Sequence, residues 1–305
     1  MIDAALLGTG GTMPLPYRNL TALLVRCNGS SVLIDCGEAT QISVRKLGWS
    51  FHPIDTILLT HFHADHVSGL PGLLLTLGNA ERTEPITIVG PKGVEKVVNS
   101  LRVIAPGLPF EIKFRELEEQ EETFKAGELK VNAFRVNHNV PCYGYSLSLD
   151  RSGRFMPDAA RALDIPLKYW SRLQKGEIID DPETGRHFTP DMVMGADRKG
   201  LKITYTTDTR PTPLIEKNAA GSDLFICEGM YGDKAEYQKA LEKKHMMMQE
   251  AAKIAKNGEV TELWLTHFSP SMAKPQEYAE EIRGIFPNSV VAKDRMVKEL
   301  NFEEE

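Results

Sequence analysis

Residues 60–66, THFHADH, place three histidines and one aspartate directly after the apolar residues 57–59, ILL. Imidazole and carboxylate groups this close together would repel one another if like-charged and would be costly to bury without partners. Neutral imidazole and carboxylate are, however, the ligands that a zinc-type divalent ion prefers. The stretch therefore predicts a metal site at the end of a buried strand.

The spacing within this stretch indicates two ions. In an extended chain His61 and His63 point to the same side and can hold one ion together. Asp65 and His66 lie one turn further on, where we expect the chain to enter a helix near Val67, and they can hold a second ion. Two ligands do not complete either site, so other strand ends must contribute.

Three more residues stand at the ends of predicted apolar strands, where an α/β layer presents its reactive groups. They are His138 in RVNHN, Asp208 in TYTTDTR and His267 in LWLTHFS. A lone histidine at a strand end is more often structural. Together with the H-x-H-x-D-H string, these three residues are predicted to complete the metal ligands.

Composition limits the class of protein. The chain has 305 residues, 42% hydrophobic and 26% charged, which is typical of a globular protein with a large core. Its net charge of −6 argues against coating nucleic acid by bulk electrostatics, although a local basic patch stays compatible with it. Without an apolar run of membrane-spanning length, a basic leader or a C-x-x-C pair, the chain is expected to be cytoplasmic, with reduced thiols.

Strand and helix patterns alternate along most of the chain. Residues 21–40 predict a hairpin that turns at Asn28-Gly29, and further apolar strands alternate with amphipathic helices. The longest periodic stretch, residues 234–258, predicts one helix that ends at Gly258. Hairpins combined with crossover units favour a layered α/β domain.

Residues 151–200 depart from this rhythm. Strand patterns are replaced by short helical pieces, Asp-Asp-Pro and Thr-Gly turns, and scattered arginines and lysines. An insertion of this length in a compact domain is usually functional or disordered, and the aromatic pair Tyr169-Trp170 favours order. We expect a single domain over residues 1–305 with a protruding arm at 151–200.

The chain resembles the metallo-β-lactamase superfamily and, within it, the ribonuclease Z family of tRNA 3′-end processing endonucleases. Besides THFHADH, the resemblance is carried by LGTGG, RNLTA, IDCGEATQ, GLPGLL, GPKG, NHNVPCYGY and DTR, which together run nearly the whole length. It implies an αβ/βα sandwich, in which two β-sheets pack face to face with helices outside.

The resemblance also implies roles for the ligands. One zinc ion is expected at His61, His63 and His138, and a second at Asp65, His66 and His267, with Mn²⁺ as the alternative metal. Asp208 is expected to bridge the two ions. Such a metal pair activates water and neutralises phosphodiester oxygens. Asp65 is expected to orient or deprotonate that water as well as to bind metal.

A general acid is implied at His245, held by Glu228. A carboxylate beside an imidazole raises the imidazole pKa, which suits proton donation near neutral pH. The family's usual neighbours are changed: Cys227 and Met230 flank the Glu228-Gly229 pair where H-E-A-T is common, and Met246-Met247 follows His245 where H-S-T is common. Without the resemblance, a histidine on a helix surface would be the preferred interpretation of His245.

The resemblance makes residues 151–200 a tRNA-clamping arm and the protein a homodimer, with the arm of one subunit serving the active site of the other. The arm lacks the family's Gly-Pro-rich tip, and its charge is nearly balanced. Its expected phosphate contacts are Arg161, Lys168, Arg172 and Lys175, in a stripe that Pro166 is expected to interrupt. Tyr169 and Trp170 could stack on a base, although at least one is expected to pack inside the arm.

Three functions remain open from the sequence. The first is removal of the 3′ trailer from precursor tRNA by a dinuclear zinc endoribonuclease. A second is hydrolysis of small phosphodiesters, such as cyclic nucleotides, by the same metal site without help from the arm. A third, a non-catalytic RNA- or partner-binding protein, is disfavoured by the intact ligand set.

Overall fold

Two seven-stranded sheets form the body of the protein, in a computed structural model that describes residues 1–303. The strands are β1 Ile2–Gly8, β2 Ala22–Cys27, β3 Ser30–Ile34, β4 Ile54–Leu58, β5 Ile86–Pro91, β6 Ile112–Leu117, β7 Glu121–Ala126, β8 Leu129–Arg135, β9 Tyr143–Arg151, β10 Ile179–Asp180, β11 His187–Phe188, β12 Arg198–Thr206, β13 Leu224–Glu228, β14 Leu263–Thr266, β15 Ser289–Val291 and β16 Met296–Leu300.

The helices connect these strands and cover the sheets. They are α1 Thr40–Leu47, α2 Ala64–Val67, α3 Leu70–Asn79, α4 Val94–Leu101, α5 Pro157–Ala162, α6 Leu167–Gln174, α7 Pro213–Ala219, α8 Tyr237–Lys243, α9 Met248–Asn257 and α10 Ala279–Ile285. None of the helices in the described part of the chain is long and apolar enough to cross a membrane.

The first sheet has the order β16-β1-β2-β3-β4-β5-β6 and the second β15-β14-β13-β12-β9-β8-β7. In each sheet a parallel run (β3 to β6, and β12 to β15) adjoins antiparallel strands. The predicted hairpin is confirmed: β2 pairs with β3, and Asn28 and Gly29 both have positive φ, as a tight two-residue turn requires.

Apolar side chains form three layers of core. One cluster joins the inner faces of both sheets, including Leu23 of β2 and Tyr205 of β12, and the Thr21 hydroxyl lies 2.9 Å from the Tyr205 hydroxyl. A second cluster packs α1, α3 and α4 on the first sheet, and a third packs α7, α9 and α10 on the second. The expected αβ/βα sandwich is confirmed.

Two expectations about helices are wrong. The helix near Val67 begins earlier, at Ala64, so Asp65 and His66 lie within its single turn. The helix expected over residues 234–258 is two helices, α8 and α9, because Lys244 adopts a left-handed φ of 55° and ends α8. The break leaves His245 in the connecting loop rather than on a helix surface.

Residues 150–200 form a compact unit of their own. Helices α5 and α6 flank Pro166, which interrupts the helix as expected, while the short β10–β11 pair was not expected. Tyr169 is buried in the unit's apolar core and donates a hydrogen bond to Asp181, and Trp170 packs against Phe155. The expectation that at least one of the two aromatic residues packs inside the arm is confirmed.

Candidate metal centre

Five of the seven predicted ligands follow strand ends of the sandwich, and the other two lie on a helix. His61 and His63 come after β4, His138 after β8, Asp208 after β12 and His267 after β14. Asp65 and His66 enter from α2. All but His63 are buried. The fold therefore brings together residues that are up to about two hundred positions apart in the chain.

The side chains form two groups with metal-binding geometry. His61, His63, His138 and Asp208 each offer one ligand atom, and these atoms lie within 4.8 Å of one another; the same holds for Asp65, His66 and His267. Asp208 faces both groups. Its Oδ1 lies 3.7 Å from His138 Nε2, and its Oδ2 lies 3.1 Å from both His66 Nε2 and His267 Nε2.

Three of the five histidine rings are oriented by acceptors at their Nδ1 atoms. His66 Nδ1 donates to Asp35 over 2.8 Å, and His138 Nδ1 donates to the Lys244 carbonyl over 3.3 Å. His61 Nδ1 donates to the Thr60 hydroxyl, which itself donates to Asp35. A proton on Nδ1 leaves Nε2 as the free ligand atom, which is the usual arrangement behind a metal-binding histidine.

The orphaned nitrogens in the centre fit a metal. Among the described residues, the buried Nε2 atoms of His61, His66 and His267 make no hydrogen bond, although an Asp208 oxygen lies 3.1 Å from the last two. A buried polar atom without a partner costs free energy, which a coordinated cation recovers. The donor set of imidazoles and carboxylates suits zinc-type ions, and the protein therefore has a metal-binding site.

At the candidate metal centre, burial and the neighbouring charges shift the pKa values of the side chains in opposite directions. Burial lowers the pKa of His61 well below its ordinary value, which keeps that ring neutral. Burial also acts to lower the pKa of His267, but Asp208 and Asp65 raise it to about 10. Although burial opposes it, the surrounding imidazoles hold the pKa of Asp208 well below the usual range. The carboxylates are thus charged and ready to bind a cation.

His245 and Glu228 lie beside these groups as a hydrogen-bonded pair. His245 Nδ1 is 3.0 Å from Glu228 Oε2, and the other Glu228 oxygen accepts the Thr209 amide. Burial acts to lower the pKa of His245, yet Glu228 and Asp208 raise it above its ordinary value. With Nδ1 directed at Glu228, Nε2 is the atom that could deliver a proton.

Asp35 and Gly11 support the site without belonging to the predicted ligands. Asp35 of IDCGEATQ is fully buried and orients both His66 and Thr60. Gly11 of LGTGG is needed for close approach, because a Cβ there would lie 2.7 Å from the His267 ring. Asp35 follows the apolar strand β3. It could therefore have been selected from the sequence in the same way as Asp208, as a polar residue at the end of an apolar strand.

Three of the four cations predicted to contact tRNA phosphates form ion pairs with acidic residues of their own unit. Arg161 pairs with Asp158, Lys168 with Glu183 and Arg172 with Glu177, all within the unit of residues 150–200. These pairs are exposed, so they can exchange partners at small cost. His52 and His187, which take no part in the candidate site, are exposed.

The double sheet with its histidine and aspartate cluster at the strand ends defines the metallo-β-lactamase class of folds. A solved Bacillus subtilis protein of that fold, YhfI, has a TM-score of 0.69 at 18% identity and covers 98% of this chain and 100% of its own. Human tRNase Z, short form, has a TM-score of 0.70 at 26% identity, covering 98% of this chain and 100% of that one.

A curated relative named ribonuclease Z, from Lachnoclostridium phytofermentans, is 57% identical over 303 residues and covers 99% of both chains. The family model described as Anti-Pycsar protein Apyc1 matches residues 2–187. The chain belongs to the ribonuclease Z family and, through residues 2–187, to the family of the Apyc1 model. The Apyc1 match ends before Asp208, Glu228, His245 and His267, whereas the ribonuclease Z match extends over the region that contains these four positions.

Proposed function

We propose that this protein is a metal-dependent endoribonuclease that removes the 3′ trailer from precursor tRNA. The observation that carries the hydrolytic chemistry is the position of Asp208, whose two oxygens face two separate ligand groups. The tRNA substrate is supported by the full-length similarity to ribonuclease Z at 57% identity. Four buried, free cysteines agree with a protein that works in the reducing cytoplasm.

Two zinc ions are the proposed cofactors. His61, His63 and His138 would hold one, Asp65, His66 and His267 the other, and Asp208 both. When bound, such a pair activates water and neutralises charge on the phosphodiester. Histidine-rich donor sets favour zinc over hard cations such as Mg²⁺, with Mn²⁺ the remaining alternative.

The chain's own residues orient the water and move the protons. Asp65 Oδ2 accepts the Thr12 amide over 2.6 Å, which fixes the carboxylate that would orient the attacking water. On the other side of the phosphorus, His245 would donate the proton on Nε2 to the departing ribose 3′-oxygen. Glu228 stabilises the charged imidazole at Nδ1 and prevents the ring from turning.

The arm and a second subunit complete this proposal. Residues 150–200 would bind the tRNA body through Arg161, Lys168, Arg172 and Lys175, and in a homodimer the arm of one subunit would serve the other. Mixing an arm-deleted chain with a His245→Ala chain tests the arrangement. Recovered cleavage of precursor tRNA supports an arm acting between subunits, and none from the mixture contradicts it.

Hydrolysis of small phosphodiesters is a second candidate, and one observation favours it. The unit of residues 150–200 contains nine basic and nine acidic side chains, and three of its four proposed phosphate contacts are paired internally. A clamp for the tRNA backbone usually carries a clear excess of positive charge. A small substrate would need no such clamp.

One experiment separates the two candidates. The zinc-loaded protein is incubated with a precursor tRNA that carries a 3′ trailer and with a chromogenic phosphodiester, and the RNA ends are mapped. We expect a single cut that leaves a 3′-hydroxyl on the tRNA body. Turnover of the small diester with intact precursor tRNA would favour the second candidate, and full metal occupancy without either activity would contradict both.

A further inference from the structure

Three consecutive residues, Asp208, Thr209 and Arg210, each reach a different part of the candidate site. Asp208 faces both ligand groups, and the Thr209 amide binds Glu228. Arg210 belongs to neither ligand group. Its guanidinium instead donates to the main-chain carbonyl of His245 over 2.6 Å and makes a two-pronged ion pair with Glu250.

Glu250 holds the other side of the same loop. It lies in the first turn of α9, and its Oε2 accepts the Met247 amide over 2.9 Å as well as the Arg210 guanidinium. The carbonyl of His245 and the amide of Met247 are therefore fixed by one connected group. The ion pair is largely buried, with 12% of the Arg210 side chain and 19% of the Glu250 side chain exposed.

The loop needs such a support. It begins where Lys244 takes a left-handed conformation, so no helix constrains His245. Its main-chain anchors include the His245 amide on Ala240 and the Met248 amide on Tyr231, and neither fixes the peptide plane that follows His245. A two-pronged arginine–carboxylate pair supplies both strength and direction at that peptide.

We propose that the Arg210–Glu250 pair is a positioning unit that holds the His245 backbone so that Nδ1 meets Glu228 and Nε2 faces the leaving oxygen. The inference rests on the proposed role of His245 as the proton donor. Its consequence is selective: a ribose 3′-oxygen must be protonated as it leaves, whereas a nitrophenolate leaves as a stable anion. The pair should therefore matter for RNA and little for nitrophenyl esters.

The test compares the two leaving groups in the Arg210→Met and Glu250→Gln proteins. We expect Arg210→Met to lower kcat on precursor tRNA by roughly 10- to 100-fold, the usual effect of a misplaced catalytic group, with little change in KM. On a nitrophenyl phosphodiester the loss should stay below about threefold, since no positioned acid is needed. The Glu250→Gln protein should lose less kcat on precursor tRNA, because the side-chain oxygen of glutamine can still accept the Met247 amide.

Arg26→Met is the matched control, because Arg26 also pairs with a carboxylate, Asp3, and stacks on an aromatic ring, Trp49, away from the ligand groups. It should leave the ratio of the two activities unchanged. Arg210→Lys keeps the charge and one bond to His245, so it should restore part of the RNA activity and guards against a folding failure of Arg210→Met.

The outcomes distinguish the inference from the proposed function. Equal losses on both substrates in Arg210→Met and Arg210→Lys would reduce the pair to a structural role and overturn the inference, as would unchanged RNA cleavage. A His245→Ala protein that loses both activities equally would remove the proton donor and the inference with it. Absence of RNA cleavage by the unaltered protein would instead contradict the proposed function.

Discussion

Two predicted ligands and the aspartate behind His66 have left-handed backbone conformations although they are not glycines. Asp35, Asp208 and His267 have φ values of 59°, 48° and 56°. Each lies within two residues of the end of a buried strand, and such a conformation costs on the order of 1–3 kcal/mol for a residue that is not glycine. Their position at the candidate site indicates that the sandwich holds these side chains in place at the expense of local stability.

Asp208 should be needed for both ions. Asp208→Ala removes the carboxylate that faces both ligand groups, so we expect zinc to fall from about two ions per chain to less than one. Metal analysis of the purified proteins measures this. Asp294→Asn is the control, because Asp294 is a partly buried carboxylate that accepts hydrogen bonds from Thr9 and Asn19 and belongs to neither ligand group. Full zinc occupancy in Asp208→Ala would refute the bridging role.

His245 should be a proton donor rather than a ligand. His245→Ala is expected to lower turnover of precursor tRNA by roughly 10²–10⁴-fold, the usual contribution of positioned proton transfer, with zinc content unchanged. The alternative is real, because His245 also lies in a group with Asp208 and His267 that could hold a metal. Loss of zinc from the His245→Ala protein would show that it is a ligand.

Gly11 should be required by the His267 ring. A Cβ at this position would lie 2.7 Å from the ring, which must then move, so Gly11→Ala should destabilise the fold by about 1–3 kcal/mol and lower zinc content. Gly107→Ala is the matched control, since its Cβ would meet no atom within 4 Å. Chemical denaturation and metal analysis give the two readouts, and equal results for both variants would disprove the steric argument.

At the scale of elements, the break between α8 and α9 creates the loop that carries His245. Apolar periodicity continues across residues 244–247, which is why the sequence predicts one helix. The buried residues Met246, Met247 and Met248 fill core space on both sides of the break. The Glu250 carboxylate accepts the Met247 amide and so caps the start of the second helix. This local hydrogen bond fixes a helix boundary that the apolar periodicity does not show.

The arm should contribute the salt-dependent part of tRNA binding. Neutralising Arg161, Lys168, Arg172 and Lys175 together should weaken binding and reduce the slope of log K against log salt by about one for each phosphate that is no longer neutralised. Neutralising four exposed cations of the sandwich, Lys46, Lys92, Lys113 and Lys125, is the matched control. A slope that stays the same in the arm variant would show that these residues form only their internal ion pairs.

For the whole molecule, the metal should act as a folding ligand. The unpaired nitrogens of His61, His66 and His267 are buried, and the unfolded chain cannot assemble the two groups. Zinc at a thousand times its dissociation constant should therefore add about 4 kcal/mol to the free energy of unfolding. Thermal unfolding of chelator-treated protein with and without zinc measures this, and Mg²⁺ is the control ion. Equal Tm values would show that the site does not bind zinc tightly.

Much of the candidate site could be predicted by looking for metal-binding side chains at the ends of apolar strands. Five of the seven predicted ligands, among them His61 and His267, follow strands of the two sheets, and packing of the sheets brings these strand ends together. Arg210 and Glu250 could not be assigned from the sequence, since their partners, the His245 carbonyl and the Met247 amide, are main-chain groups without a residue signature. Asp35 also follows an apolar strand, β3, so the same search would have selected it.

The sequence by itself determined the layered α/β fold and the hairpin at Asn28-Gly29, and it selected the side chains that we propose as metal ligands, because periodicity, turn chemistry and ligand type are local properties. Only the tertiary structure decided that the two oxygens of Asp208 face His66 and His138 and that the loop after Lys244 brings His245 to Glu228. Both depend on distances between strands and loops far apart in the chain, and packing of the two sheets sets those distances.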